Sequence, residues 1–234
     1  MSSDDLAVRL AAVRAEVAAA CHAAGRSPGE VTLIGVSKTH PADAVVAARR
    51  AGLGDVGENY AQEVREKALA LGDVPGLRWH FIGSLQRNKV KYVVGLCEWI
   101  HTIDSAPLLA EVARVAGKRG LVQRCLVEVN VGRDPHKSGV LPEALPALLD
   151  AFGEHAGVRC EGLMTIPPLG DAAATRPHFR ALRALRDQLQ APREHVTLRE
   201  LSMGMSADFA EAIAEGATMI RVGTAIFGTR PARA

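Results

Sequence analysis

Apolar residues follow two alternating patterns along this chain. The first is a helical spacing that predicts an amphipathic helix from about Ser3 to Ala24, ended by Gly25. Its apolar face consists of Leu6, Leu10, Val13, Val17 and Cys21. The second is a continuous apolar and β-branched run, VTLIGVS at 31–37, which is typical of a strand buried on both faces of a parallel sheet.

The strand pattern recurs seven more times, with helical segments between the strands. The predicted strands lie at 55–57, 78–82, 99–103, 124–131, 158–164, 196–202 and 219–222. After the first strand comes a helix that begins near Pro41, and the further predicted helices lie at 60–71, 85–94, 106–118, 142–152, 176–189 and 208–215. This alternation predicts a single α/β domain over residues 1–234, a (β/α)8 barrel of the TIM type with 1–25 as an extra leading helix. An open doubly wound sheet shares much of the pattern, and we favour the closed barrel.

Composition and charge narrow the function classes. The 234 residues are 48% hydrophobic and 23% charged, and the net charge is only +2, so no strong field favours nucleic acid or a membrane surface. The four cysteines form no CxxC pair, and no His or Cys spacing suggests a metal site. The beginning of the chain lacks the apolar core of a signal peptide, so we expect a cytoplasmic protein.

The residues that follow the strands of such a barrel carry its function, because the βα loops meet there. Lys38 follows the first strand, where partial loss of hydration would favour a neutral, nucleophilic amine. Arg221 ends the eighth strand, which pairs with the first in a closed barrel, so we expect the two side chains to be neighbours. Position alone is equally consistent with a lysine that reaches solvent.

Two loops have the composition of a phosphate site. SMGMS at 202–206 and Gly223-Thr224 follow the seventh and eighth strands, the usual place for a phosphate in this fold, and Ser206 is placed to cap the helix near Asp208. Each loop alone is better explained as a tight turn, but the two together, after consecutive strands, favour a phosphate site. Lys38 with this phosphate site also fits a sugar-phosphate aldolase.

With these residues assembled, the chain resembles the pyridoxal phosphate homeostasis proteins, whose single barrel is similar to the N-terminal domain of bacterial alanine racemases. The resemblance extends from about Val31 to Gly228. It rests on VSKTHP around Lys38, GENYAQE at 57–63, WHFIGSLQRNK at 79–89, HTID at 101–104, KSG at 137–139, GLMTIP at 162–167 and SMGMSADFAEAIAEGATMIRVGTAIFG at 202–228.

The resemblance implies a bound pyridoxal 5′-phosphate and a role for each site residue. It implies a Schiff base on Lys38, pairing of Arg221 with the pyridine nitrogen, and a phosphate held by Ser202 and the Gly223-Thr224 backbone. Asn59, Gly204 and Ser206 are further candidate contacts. For His80 and Lys137, a structural role and a ligand contact remain open.

The family implies a non-catalytic protein that buffers the cofactor for vitamin B6 homeostasis and delivers it to pyridoxal-phosphate-dependent apoenzymes. An arginine partner weakens the electron sink of the ring, which argues against carbanion chemistry. The alternative is an amino-acid racemase-like enzyme, which needs a second base. We expect no such base, because the only tyrosines, Tyr60 and Tyr92, follow no recognisable catalytic pattern. We expect a monomer, and the sequence leaves open which apoenzymes are served and whether a second cofactor site exists.

Overall fold

Eight parallel strands close into a barrel in the order β1 to β8. The computed structural model describes residues 3–168 and 170–229. The strands are β1 Thr32–Val36, β2 Asp55–Glu58, β3 Arg78–Phe81, β4 Trp99–Ile103, β5 Gln123–Glu128, β6 Val158–Met164, β7 Val196–Met205 and β8 Met219–Val222. Because β8 pairs with β1, the sheet has no free edge, and the predicted closed barrel is confirmed over the open sheet.

Helices surround the barrel and connect its strands. The α-helices are α1 Ser3–Ala23, α2 Ala42–Arg50, α3 Ala61–Leu71, α4 Ala106–Lys118, α5 Leu145–Ala151, α6 Ala172–Gln188, α7 Phe209–Ala214 and α8 Thr224–Phe227. Short 3-10 helices lie at Pro28–Glu30, Arg87–Tyr92, Pro142–Ala144 and Phe152–Glu154. No helix within residues 3–168 and 170–229 is long and apolar enough to span a bilayer.

The leading helix is confirmed and packs onto the barrel's outer layer. Gly25 has a φ of 67°, the left-handed conformation expected just after a helix end. Arg9 Nε donates a 2.8 Å hydrogen bond to the Ile226 carbonyl, which ties α1 to α8. All five residues of the predicted apolar face are buried, namely Leu6, Leu10, Val13, Val17 and Cys21.

The structure corrects three of the predicted elements. The segment predicted as a helix at 85–94 contains only the 3-10 helix Arg87–Tyr92. Helix α6 begins earlier than predicted because the Asp171 carboxylate accepts a hydrogen bond from the Ala174 N–H and caps it. Strand β7 continues to Met205, so most of the SMGMS segment belongs to the strand and not to the loop after it.

Two apolar cores flank the sheet. The larger fills the space between strands and helices. The smaller lies inside the barrel and consists of Ile34, Trp99, Leu126, Met164 and Met219, with Ile166 packed against it.

The predicted domain at 1–234 also includes residues 1–2, 169 and 230–234, which lie outside the described residues.

Candidate cofactor-binding site

Lys38 lies in the turn that leaves β1 at the carboxyl end of the barrel and is partly buried. The Ser37 N–H donates to the Gly57 carbonyl of the next strand at 3.1 Å, and the His40 N–H closes the turn on the Ser37 carbonyl at 3.0 Å. Thr39 follows with a φ of 67°, a conformation that non-glycine residues rarely adopt. The turn is therefore held in one specific conformation.

A buried ion pair below this turn holds it in place. Lys67 Nζ donates to Glu58 Oε1 at 2.6 Å and to the Ser37 carbonyl at 2.8 Å. The Ser37 hydroxyl also donates to Glu58 Oε1, and Glu63 Oε2 accepts from the Thr39 N–H at 2.9 Å. Burial raises the pKa of Glu58 to about 7, although Lys67 and Ser37 act in the opposite direction.

This ion pair was not predicted from the sequence. Its only local signal is the i,i+4 spacing of Glu63 and Lys67 on α3, which usually marks an exposed pair. Here Lys67 is buried because α3 packs its first turns beneath the β1 turn, and Glu58 is fully buried at the end of β2. Lys67 and Glu63 therefore fix the backbone of the turn on both sides of Lys38.

Arg221 lies inside the barrel and is only 4% exposed. Its Nη1 donates to Ser202 Oγ at 2.6 Å, and its Nη2 donates to the Thr165 carbonyl at 3.0 Å. Burial lowers the pKa of Arg221 to about 10, while Glu128 and Asp208 act to raise it, so the group stays charged at neutral pH. In the register of β1 and β8, Arg221 lies beside Ile34, four residues before Lys38. Lys38 therefore lies in the turn that follows the strand adjacent to Arg221, nearer the mouth.

The predicted phosphate residues separate into two groups. Ser202 and Gly204 are buried within β7, and Ser202 Oγ is engaged by Arg221 and by His101 Nδ1, the latter at 2.9 Å. Gly204 has a φ of 91°, and a Cβ there would lie 2.5 Å from the Ala212 Cβ, so this glycine permits close packing of β7 on α7. Both residues therefore belong to the strand and not to the loop that follows it.

Ser206, Gly223 and Thr224 lie at the rim, where the loops after β7 and β8 leave neighbouring strands. Ser206 and Thr224 are exposed, and Gly223 is half-buried just before α8. The prediction that Ser206 caps the following helix is wrong. Asp208 is the N-cap residue of α7, and its Oδ1 accepts from the Met205 N–H at 2.7 Å, which leaves Ser206 in the preceding loop.

A cavity of about 230 Å³ opens at the mouth between the ends of β2 and β6. Asn59 lines it, and its Oδ1 is buried without a hydrogen-bond partner among the described residues. Gly83 packs directly against the Asn59 backbone, since a Cβ at position 83 would lie 2.1 Å from the Asn59 carbonyl oxygen. Burial, aided by Asp104, raises the pKa of Glu128 in this cavity to about 7 against the effects of Arg221 and Lys137. The cavity thus presents one buried acceptor, Asn59 Oδ1, that no described residue satisfies.

The two residues left open by the sequence have different surroundings. His80 is buried in the barrel and contacts Asp55 and His101, so it is part of an internal polar network. Lys137 lines the mouth cavity and donates to the carbonyls of Ile166 and Pro167. Within residues 3–168 and 170–229, no group of three His, Cys, Asp or Glu side chains is placed to hold a metal ion.

Comparison with known proteins gives one consistent family. The family described as "Alanine racemase, N-terminal domain" matches residues 8–231. The chain is 47% identical to the pyridoxal phosphate homeostasis protein of Aquifex aeolicus over 95% of its own length and 97% of that protein. For the protein of that name from Pseudomonas aeruginosa the identity is 44%, with 96% of each chain covered.

A solved structure extends this similarity to the fold. PipY of Synechococcus elongatus, determined with pyridoxal phosphate bound, is 41% identical and superposes with a TM-score of 0.84 over 95% of this chain and 100% of that chain. Similarity of this extent in both sequence and fold confirms the expected family. The chain belongs to the pyridoxal phosphate homeostasis proteins, a family built on the alanine racemase N-terminal domain.

Proposed function

We propose that this chain binds pyridoxal 5′-phosphate at the barrel mouth, covalently through Lys38, and buffers it for delivery to apoenzymes without turning over a substrate of its own. The observation that carries the proposal is the buried, charged Arg221 on the strand next to the one that leads to Lys38. A buried guanidinium needs acceptors, and the pyridine nitrogen of the cofactor is one. We further propose that residues 1–234 form a single monomeric domain.

The residues present fit this cofactor. Two of the five N–H donors of Arg221 are used by Ser202 and Thr165, so donors remain for a ring nitrogen. The rim residues Ser206, Gly223 and Thr224 are accessible to a phosphate after β7 and β8. We therefore assign the phosphate contacts to these three residues and give Ser202 and Gly204 internal roles.

The bound cofactor supplies an aldehyde that bonds reversibly to an amine. The chain's own contribution is to fix the Lys38 turn through Lys67 and Glu58, and to hold Arg221 charged beside the ring. An arginine partner does not protonate the ring nitrogen, so the site favours holding the cofactor over withdrawing electrons through it. The names of the homologous homeostasis proteins support the same role.

The test is the absorption spectrum of the purified protein with added pyridoxal phosphate, followed by borohydride reduction and peptide mass spectrometry. We expect a visible band that borohydride removes, and a pyridoxyl group on the peptide that contains Lys38. Lys38→Ala should lose the band, whereas Lys137→Ala, the matched control in the same mouth, should keep it. An adduct only on Lys137 or Lys89 would disprove the assignment.

The racemase-like alternative is favoured by the family relationship to alanine racemase. Against it, Tyr92 lies among the cations of Arg65, Lys89 and Lys91, and Tyr60 is 50% exposed in a cavity beside the mouth. Incubation with each common L-amino acid in deuterated water distinguishes the two functions, because racemization exchanges the α-proton. Exchange at an enzymatic rate that Lys38→Ala abolishes would establish the alternative.

A further inference from the structure

A chain of hydrogen bonds crosses the inside of the barrel and ends at Arg221. It runs from Arg221 Nη1 to Ser202 Oγ at 2.6 Å, then to His101 Nδ1 at 2.9 Å. His101 Nε2 lies 3.0 Å from His80 Nδ1, and His80 Nε2 lies 2.9 Å from Asp55 Oδ1. All these residues are buried, at 7% exposure or less.

The hydrogen-bond chain begins at the opposite end of the barrel. Asp55 is the first residue of β2, and both of its carboxylate oxygens accept hydrogen bonds from Arg78, at 2.7 and 2.6 Å. Arg78 is half-exposed at the start of β3. Burial acts to raise the pKa of Asp55, but the hydrogen bonds from His80 and Arg78 outweigh it and lower the pKa, so the carboxyl group is ionised. One end of the chain is therefore an anion and the other a cation.

The donors can all point in one direction only if both histidines are neutral and carry their proton on Nε2. An ionised Asp55 accepts from His80 Nε2–H, which leaves His80 Nδ1 to accept from His101 Nε2–H. His101 Nδ1 then accepts from the Ser202 hydroxyl, whose oxygen accepts from Arg221. Burial, with the Arg221 charge adding to it, holds the pKa of His101 well below its usual range, consistent with a neutral ring.

The opposite arrangement leaves a donor unused. If His80 were a cation, His101 would donate from Nδ1 to Ser202, and Ser202 Oγ would accept two hydrogen bonds. Its own proton would then lack an acceptor, because Arg221 and His101 are the two hydrogen-bond partners of Ser202 Oγ among the described residues. A buried hydroxyl without an acceptor is unfavourable, so the unidirectional arrangement is favoured.

We propose that Asp55, His80, His101 and Ser202 are positioning residues that fix the orientation of the Arg221 guanidinium through a continuous line of hydrogen bonds. The inference rests on the proposed function, since the orientation of Arg221 affects cofactor binding only if its guanidinium pairs with the pyridine nitrogen. It also explains why a fully buried hydroxyl lies beside the arginine: Ser202 orients one Nη1 proton and leaves the remaining donors for the ring nitrogen.

The first test uses the unaltered, ligand-free protein. Imidazole ¹⁵N–¹H correlation spectra at pH 7, assigned with His80→Gln and His101→Gln, should show both rings neutral and protonated on Nε2. A cationic ring, or an Nδ1–H form of either residue, would overturn the proposal. This result does not depend on cofactor binding. If the protein did not bind pyridoxal phosphate, the proposed function would be wrong, but the hydrogen-bond arrangement could still be confirmed by these spectra.

The second test measures the effect on the cofactor. Ser202→Ala removes one acceptor from Arg221, and we expect about tenfold weaker binding of pyridoxal phosphate, equal to about 1.4 kcal/mol, with a shifted visible absorption maximum. Ser202→Thr retains the hydroxyl and should restore both. Gln123→Met is the control. Gln123 is a buried polar residue in β5 that donates to the carbonyls of Cys97 and Glu98, and it takes no part in the hydrogen bonds that lead to Arg221. Effects of Ser202→Ala no larger than those of the control would refute the positioning role, and the first test decides if the variant does not fold.

Discussion

Replacing Glu128 by glutamine should stabilise the ligand-free protein increasingly as the pH rises from 5 to 8. Glu128 is 6% exposed at the mouth, and no donor among the described residues is hydrogen-bonded to its side chain. Burial, with Asp104 adding to it, raises its pKa from 4.5 to about 7, and Arg221 and Lys137 reduce this effect only in part. Ionising Glu128 in the folded protein is therefore unfavourable.

The sign and size of the effect follow from linkage. Because the folded pKa lies above the unfolded one, the folded state binds more protons, and the free energy of unfolding falls as the pH rises from about 4.5 to about 7. Each pH unit between the two pKa values corresponds to about 1.4 kcal/mol, so the wild type should lose about 2 to 3 kcal/mol through Glu128 between pH 5 and pH 8. A glutamine does not titrate and avoids this loss.

Urea unfolding of both proteins, followed by circular dichroism at pH 5, 6, 7 and 8, measures the difference. Glu143→Gln is the matched control, because Glu143 is an exposed glutamate paired with Arg133 and its pKa is lowered, mainly by that partner. The control should show no gain in stability with rising pH. If the difference in free energy of unfolding between Glu128→Gln and wild type does not change with pH over this range, Glu128 is not forced to ionise in a buried site.

Three further predictions test other parts of the structure. Lys67→Met leaves Glu58 buried without its cation and should lower the free energy of unfolding by about 3–5 kcal/mol in urea titrations. Adding Glu58→Gln should recover much of this loss. Equal losses in the single and double variants would contradict the ion pair. Gly204→Ala should lower the melting temperature, at a cost of about 1–3 kcal/mol, because of the φ of 91° and the contact with Ala212, whereas Gly117→Ala, where a Cβ meets nothing within 4 Å, should not. The native protein should react slowly with a thiol reagent at pH 8 and rapidly in urea, because burial raises the thiol pKa of all four cysteines. Fast reaction of the native protein would contradict the burial of Cys21, Cys97, Cys125 and Cys160.

Local patterning determined most of the architecture. The helical spacing of the first 24 residues and the repeated apolar runs reflect burial of one helix face and of both strand faces, which are properties of short segments. Strands Trp99–Ile103 and Val158–Met164 and helix Ala106–Lys118 have the predicted bounds. The positions of Lys38 and Arg221 on neighbouring β/α units could also be anticipated, because each follows or ends a strand whose place in the barrel is set by its order in the chain.

The roles of the other polar residues were decided by tertiary structure. Ser202 and Ser206 are four residues apart in one motif, yet the extension of β7 to Met205 buries the first inside the barrel and leaves the second at the rim. Glu58 and Lys67 become a buried pair only because α3 packs beneath the β1 turn. The chain from Arg221 to Asp55 joins residues from five strands, and its closest sequence neighbours are 19 residues apart. Closure of the barrel brings these side chains together in a medium that excludes water, where each must find a partner, and no local sequence pattern records that requirement.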